Sequence, residues 1–303
     1  MYQVIGAPRV VVNLPFMPEA GRDPEPRRVQ ANGVDFAYLE DGPKGGPLAL
    51  CLHGFPDTAH TWRHLLPELA AKGYHAVAPF LRGYAPTAVP ADGRYQPGAL
   101  VADACGLHEA LGGDARAVVV GHDWGALAAY GAAGHQPGRW ARVVGLAVPP
   151  AGAMAAGFAG YDQLRRSWYM FFFQSVLADA VVPLNDFAFI DRLWADWSPG
   201  YDASEDLPRV KAALAAPESL AAALGYYRAT FDPAKQVPEL AAEQAATAAS
   251  PPQPLLYLHG RDDGCVGIEL AGPAAVVVDH AGHFLHLERP AEVNARMLEF
   301  LTA

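Results

Sequence analysis

The sequence predicts an α/β fold: a mostly parallel central sheet with helices on both faces and a helical lid inserted after the sixth core strand. Two observations carry that expectation. From Val34 onward, short apolar runs alternate with segments of helical period, as in a sheet built from β-α units. The alternation then stops at Pro149-Pro150 and resumes only near Pro254, leaving a long aromatic and alanine-rich stretch between two parts of one core. The expected organisation is a first part of the core at 1–148, a lid at 149–245 and a second part of the core at 246–303.

Residues 1–26 are rich in Pro and Gly and read as an extended arm. The strand candidates follow in order: Val34–Leu39, Leu48–Leu52, His75–Phe80, Ala117–Val120, Val143–Ala147, Leu255–Leu258 and Ala275–Val278. Several are apolar throughout, as strands covered on both faces must be. Helical patterns occupy Gly98–Leu111, Ala126–Gly134 and Ala291–Leu301 between or after them. Within the interruption, Trp168-Tyr169, Phe171–Phe173, Trp194, Trp197 and Tyr226-Tyr227 fall at helical spacing among many alanines, hence an all-helical insertion. Ala241–Ala249 reads as a helix end and connector.

Composition narrows the function classes. The chain has 303 residues, is 51% hydrophobic and 18% charged, and so can bury a large core. Its formal net charge of −10, with Lys and Arg scattered, argues against a nucleic-acid or anionic-membrane partner. Cys51, Cys105 and Cys265 are far apart, with no CxxC spacing; they read as reduced thiols of a cytoplasmic protein rather than disulfides or zinc ligands. No signal-peptide pattern and no run long enough to cross a bilayer is seen.

The strongest chemical signal is Val118-Val119-Val120-Gly121-His122-Asp123-Trp124-Gly125-Ala126. A buried strand runs into Gly-x-Asp-x-Gly, and a helical pattern starts at once. In such a strand–turn–helix the residue between the glycines is lifted into a cavity as a nucleophile, a position more often held by Ser. The bland alternative is that Asp123 only caps the helix. A carboxylate is a poor acyl nucleophile in water, but it can displace a leaving group at sp³ carbon and give an ester. It needs no base for activation, so a histidine is free to activate the water that hydrolyses that ester.

His53-Gly54-Phe55-Pro56 after the strand Leu48–Leu52 resembles the HGxP motif of α/β-hydrolases. That resemblance implies an oxyanion hole made by the N–H groups of Phe55 and of Trp124; taken alone, the motif could be only a turn. His283 in Gly282-His283-Phe284 matches the family's histidine loop and is the expected general base, with His280 and His286 as competitors. The acid that orients it should follow the strand Leu255–Leu258 in Gly260-Arg261-Asp262-Asp263. The family register, three residues after the glycine, selects Asp263 and leaves Asp262 as the alternative.

Together, HGFPD at His53–Asp57, RGY at Arg82–Tyr84, GHDWG at Gly121–Gly125, the Asp263 loop and Gly282-His283 resemble the epoxide hydrolase branch of the α/β-hydrolases over about residues 30–302. That branch uses two lid tyrosines to hold and protonate the epoxide oxygen. Tyr169, five residues before Gln174, and Tyr227, directly before Arg228, match them. Tyr226 is the alternative for the second, and simple lid packing is the bland reading for all three. Trp168, Tyr226 and Phe173 are expected to contact substrate.

The resemblance implies an apolar epoxide and water as reactants, a vicinal diol as product, no metal or organic cofactor, and a monomer or homodimer. Haloalkane and haloacid dehalogenases share the Asp elbow and are the second reading; Trp124 with Trp168, Trp194 or Trp197 would then bind halide. A ligand-binding protein without catalysis is the third. One departure from the family concerns Arg82. The acidic residue usual before RGY is missing in Ala78-Pro79-Phe80-Leu81-Arg82, so Arg82 is expected to pair elsewhere.

Overall fold

The computed structural model describes residues 25–303, so nearly all of the expected N-terminal arm lies outside the described residues. Eight strands form one sheet in the order β1-β2-β4-β3-β5-β6-β7-β8. They are β1 (Arg27–Ala31), β2 (Val34–Asp41), β3 (Leu48–Leu52), β4 (His75–Pro79), β5 (Val118–His122), β6 (Arg142–Leu146), β7 (Leu255–Gly260) and β8 (Val276–Val278). β2 runs antiparallel to both β1 and β4, and every pairing from β4 through β3 to β8 is parallel. β3, β4 and β5 are buried at every position, the consequence of helices on both faces. Helices Pro97–Ala110, Trp124–His135 and Ala241–Ala246 pack on one another, while Leu66–Ala71 packs with Pro290–Thr302.

The expected strands and the fold class agree with this sheet; β1 is the element that the sequence pattern did not predict. Its residues, Arg-Arg-Val-Gln-Ala, are mostly exposed and lie at the sheet edge, so they carry no apolar run. The available signal was the Asn32-Gly33 dipeptide after it, whose positive φ angles of 45° and 73° make the tight turn joining two antiparallel strands.

Between β6 and β7 the chain is helical throughout its regular structure, from Ala151–Gly157 to Ala241–Ala246. The last of these helices packs on Pro97–Ala110 and Trp124–His135, next to the sheet. The others include Trp168–Phe172, Leu184–Trp197 and Pro217–Phe231, which carry the aromatic side chains above the C-terminal ends of the parallel strands. No helix among the described residues is long and apolar enough to cross a membrane.

Arg82 does find a carboxylate elsewhere. Its guanidinium is fully buried and makes a two-pronged ion pair with Asp103, at 2.5 and 2.6 Å. A third nitrogen donates to the Arg94 carbonyl. Asp103 sits on helix Pro97–Ala110, so the pair ties the loop after β4 to that helix. A buried charge needs this degree of pairing to offset its lost hydration.

Candidate active site

The site is assembled where β5 turns into helix Trp124–His135. Asp123 has φ 53° and ψ −119°, a strained backbone for a residue with a side chain, and strain of this kind concentrates where function overrides local preference. The flanking glycines make the turn sterically feasible. A Cβ on Gly121 would lie 2.1 Å from the Gly125 carbonyl oxygen, and one on Gly125 would lie 2.1 Å from that of Leu52. Asp123 holds the N-cap position, but its side chain makes no capping bond and projects toward the loop after β3.

That loop is locked by His53, whose Nδ1 pairs with the Gly54 carbonyl while Nε2 accepts from the Leu81 N–H. The next N–H, of Phe55, donates to Asp123 Oδ1 at 2.8 Å. A Cβ on Gly54 would fall 2.3 Å from the same oxygen, so the close approach of loop and carboxylate requires glycine there. Trp124, adjoining Asp123, opens the helix and lines the cavity.

On the other side of the carboxylate, His283 Nε2 lies 3.7 Å from Asp123 Oδ2 and has no hydrogen-bond partner. Its Nδ1 is 3.0 Å from Asp263 Oδ2. The second oxygen of Asp263 accepts from the N–H groups of Cys265 and Val266, at 2.7 and 2.9 Å. Asp262 is exposed, and it is Asp263 that pairs with the imidazole. Of the competing histidines, His280 is exposed on the turn after β8. His286 is buried, stacked on Trp62 and bonded to Thr61, and does not reach Asp123.

Burial by itself disfavours the charged imidazolium of His283, but the carboxylates of Asp263 and Asp123 outweigh it and raise its pKa to about 10. Asp263, buried yet facing His283, is held below the usual carboxylate range. Among the described residues two groups bring ligand atoms within 4.8 Å of one another and could hold an ion: Asp57, His122 and His286, and Asp263, Cys265 and His283.

Above Asp123 a cavity of about 230 Å³ is lined by Asp123, Trp124, Tyr169, Tyr227 and mostly apolar side chains such as Leu127, Met154, Phe158 and Met170. Tyr169 and Tyr227 come from different helices, and their rings meet edge to face with centroids 5.6 Å apart. The Tyr227 hydroxyl is buried with no partner, whereas that of Tyr169 lies 3.4 Å from Cys265 Sγ. Burial raises the pKa of both phenols, with nearby negative charge adding to it, so both remain proton donors.

The residues expected to contact substrate are placed differently. Tyr226, about 100° round the helix from Tyr227, donates to the Arg82 carbonyl at 2.8 Å and stacks on Tyr95. Trp168 is half-exposed on the outer surface against Phe172 and Phe189. Phe173 is fully buried behind the tyrosines and does not line the cavity. Helical spacing reveals an apolar stripe but not which of two adjacent rings turns inward. Sequence reasoning also missed Cys265 as a cavity residue; its place two positions after Asp263 was the available signal.

The chain matches the model of the alpha/beta hydrolase family over residues 49–296. It is 32% identical to epoxide hydrolase A of Mycobacterium tuberculosis, over 92% of this chain and 98% of that one. It is 31% identical to an epoxide hydrolase of Caballeronia sordidicola, over 90% and 92% of the two chains. Among solved structures, the Bacillus megaterium epoxide hydrolase crystallised with an inhibitor superposes with a TM-score of 0.76 at 27% identity, covering 91% of this chain and 100% of that one. With this fold and these relatives, the chain belongs to the α/β-hydrolase family and is a hydrolase of its epoxide hydrolase-like branch.

Proposed function

We propose that the protein converts an apolar epoxide to a vicinal diol through a covalent ester on Asp123. The observation that carries this reading is the placement of Asp123 in an apolar cavity that Tyr169 and Tyr227 also line. The helical block between β6 and β7 acts as the lid. The tyrosines hold the epoxide oxygen, Asp123 attacks a ring carbon from the opposite side, and a phenol protonates the departing alkoxide.

The next step needs a base, and His283 is charged while both carboxylates face it. Alkylation removes the negative charge of Asp123 from 3.7 Å away, which lowers the pKa of His283 and frees it to take a proton from water. Asp263 holds the imidazole in register, and the Phe55 N–H, already on Asp123 Oδ1, is positioned for the oxyanion formed when water attacks the ester. The basicity of His283 is therefore released by the first step and used in the second.

Hydrolysis in ¹⁸O-labelled water tests the sequence of steps. Attack on the ester carbonyl puts label into Asp123 during turnover, and the diol of a first turnover carries the enzyme's unlabelled oxygen. Label in the first-turnover diol with none in Asp123 would mean that water attacks the epoxide directly.

The tyrosines give a second expected result. Tyr169→Phe and Tyr227→Phe should each slow ring opening by about 10–100-fold, and the double variant by about 10³-fold or more, within the range of a general acid. Rapid-quench rates of epoxide consumption read this out, and a double variant at the wild-type rate excludes the role.

Carbon–halogen cleavage is less well supported. Of the tryptophans named as halide donors, Trp124 lines the cavity, but Trp194 Nε1 donates to the Pro56 carbonyl at 2.9 Å, Trp168 is half-exposed, and neither Trp168 nor Trp197 lines the cavity.

A further inference from the structure

From Asp123 the cavity is lined by apolar side chains on the side of helix Ala151–Gly157. On that side it runs over Leu127 and Val148 to Met154 and Phe158, and it reaches solvent along helix Ala151–Gly157, where Ala155 is exposed. On the other side stands a wall of rings. Phe55, Phe173 and Tyr227 meet one another edge to face at 5.2 to 5.5 Å, and Trp197 closes on Phe55 and Tyr169 at 6.4 and 4.9 Å. All five side chains are essentially without solvent exposure, and Phe55, Phe173 and Trp197 do not line the cavity.

An epoxide whose oxygen lies between the tyrosines and whose carbon faces Asp123 directs the substituents of its two ring carbons away from each other. One set enters the open arm. The other meets the ring wall, which is packed like a protein interior and yields only at a cost. We infer that the site is specific for terminal epoxides, with a single compact aryl or alkyl group on one ring carbon and only hydrogens on the other. This rests on the reading of the site as an epoxide hydrolase. Size agrees with shape. A cavity of about 150 Å³ holds one benzene ring, so the 230 Å³ here has room for one ring and the epoxide.

The test compares styrene oxide, trans-β-methylstyrene oxide and trans-stilbene oxide on the full chain, reading kcat/KM from diol formation. Styrene oxide should be the best substrate. The methyl derivative should fall at least about tenfold, the low end of the cost of one group forced into a packed wall, and stilbene oxide at least about 100-fold. Phe173→Ala opens the wall and should raise the stilbene-to-styrene ratio of kcat/KM by at least about tenfold. As a second variant, Met154→Trp fills the open arm and should depress styrene oxide turnover chiefly through KM. Comparable kcat/KM for the three epoxides in the wild type would overturn terminal selectivity while leaving epoxide hydrolysis intact. No diol from any of them would overturn both readings together.

Discussion

Asp123→Asn is expected to lower diol formation by about 10⁴-fold or more and to eliminate any substrate-derived mass on the protein. The substitution is nearly isosteric. It keeps an oxygen for the Phe55 N–H, now 2.8 Å from Asp123 Oδ1, and leaves the turn geometry unstrained beyond what Asp123 already bears. What it removes is the charge that makes the side chain a nucleophile at sp³ carbon. It also removes one of the two carboxylates that hold His283 at a pKa of about 10, so the imidazole should titrate at lower pH in the variant. Epoxide consumption with peptide mass spectrometry of residue 123 provides the check, because slow deamidation of the new Asn would restore activity and must be measured. Full activity in protein that still carries Asn would end the nucleophile assignment.

His283→Gln is expected to divide the reaction. Ring opening by Asp123 does not need the imidazole as a base, so the variant should consume about one equivalent of epoxide. The ester then waits for water without a general base, and its hydrolysis should slow by about 10²–10⁴-fold. Intact-mass spectrometry should find the protein heavier by one substrate molecule, with the adduct on the Asp123 peptide. A variant that turns over slowly with no adduct would show that His283 acts before ester formation or not at all.

The same residue carries a signature in stability. The pKa of His283 is raised in the fold from 6.5 to about 10, so its protonated form stabilises the native state. That contribution is complete below the unfolded value and is lost as pH rises toward about 10. The melting temperature of the wild type should therefore decline over this window more steeply than that of His283→Gln.

Much of this protein is legible in its amino-acid order. Apolar runs such as Leu48–Leu52 have no polar face to give to water, so they could only be strands covered on both sides, and their alternation with helical segments left few topologies. Gly121 and Gly125 around Asp123 identified the turn because no other residue fits between those carbonyls. The family resemblance, not physics, favoured Asp263 over Asp262 by its register after Gly260, and in the structure the Asp263 carboxylate lies 3.0 Å from His283 Nδ1. These features are local: each depends on a few adjacent residues and on backbone sterics.

What the sequence left open depended on packing between distant segments. Tyr226 and Tyr227 are adjacent on one helix, and only the Arg82 loop, which takes the Tyr226 hydroxyl, decides that Tyr227 faces Asp123. That Phe173 is buried and Trp168 half-exposed is decided by the neighbours that cover one and leave the other outside, not by their spacing. The proton balance of His283 arises where β5, the loop after β7 and the loop after β8 converge and bury two carboxylates around one ring. Backbone preference acts within a few residues, so a sequence can specify its turns and strands, whereas burial, shared charge and the shape of a cavity exist only once the chain has closed on itself.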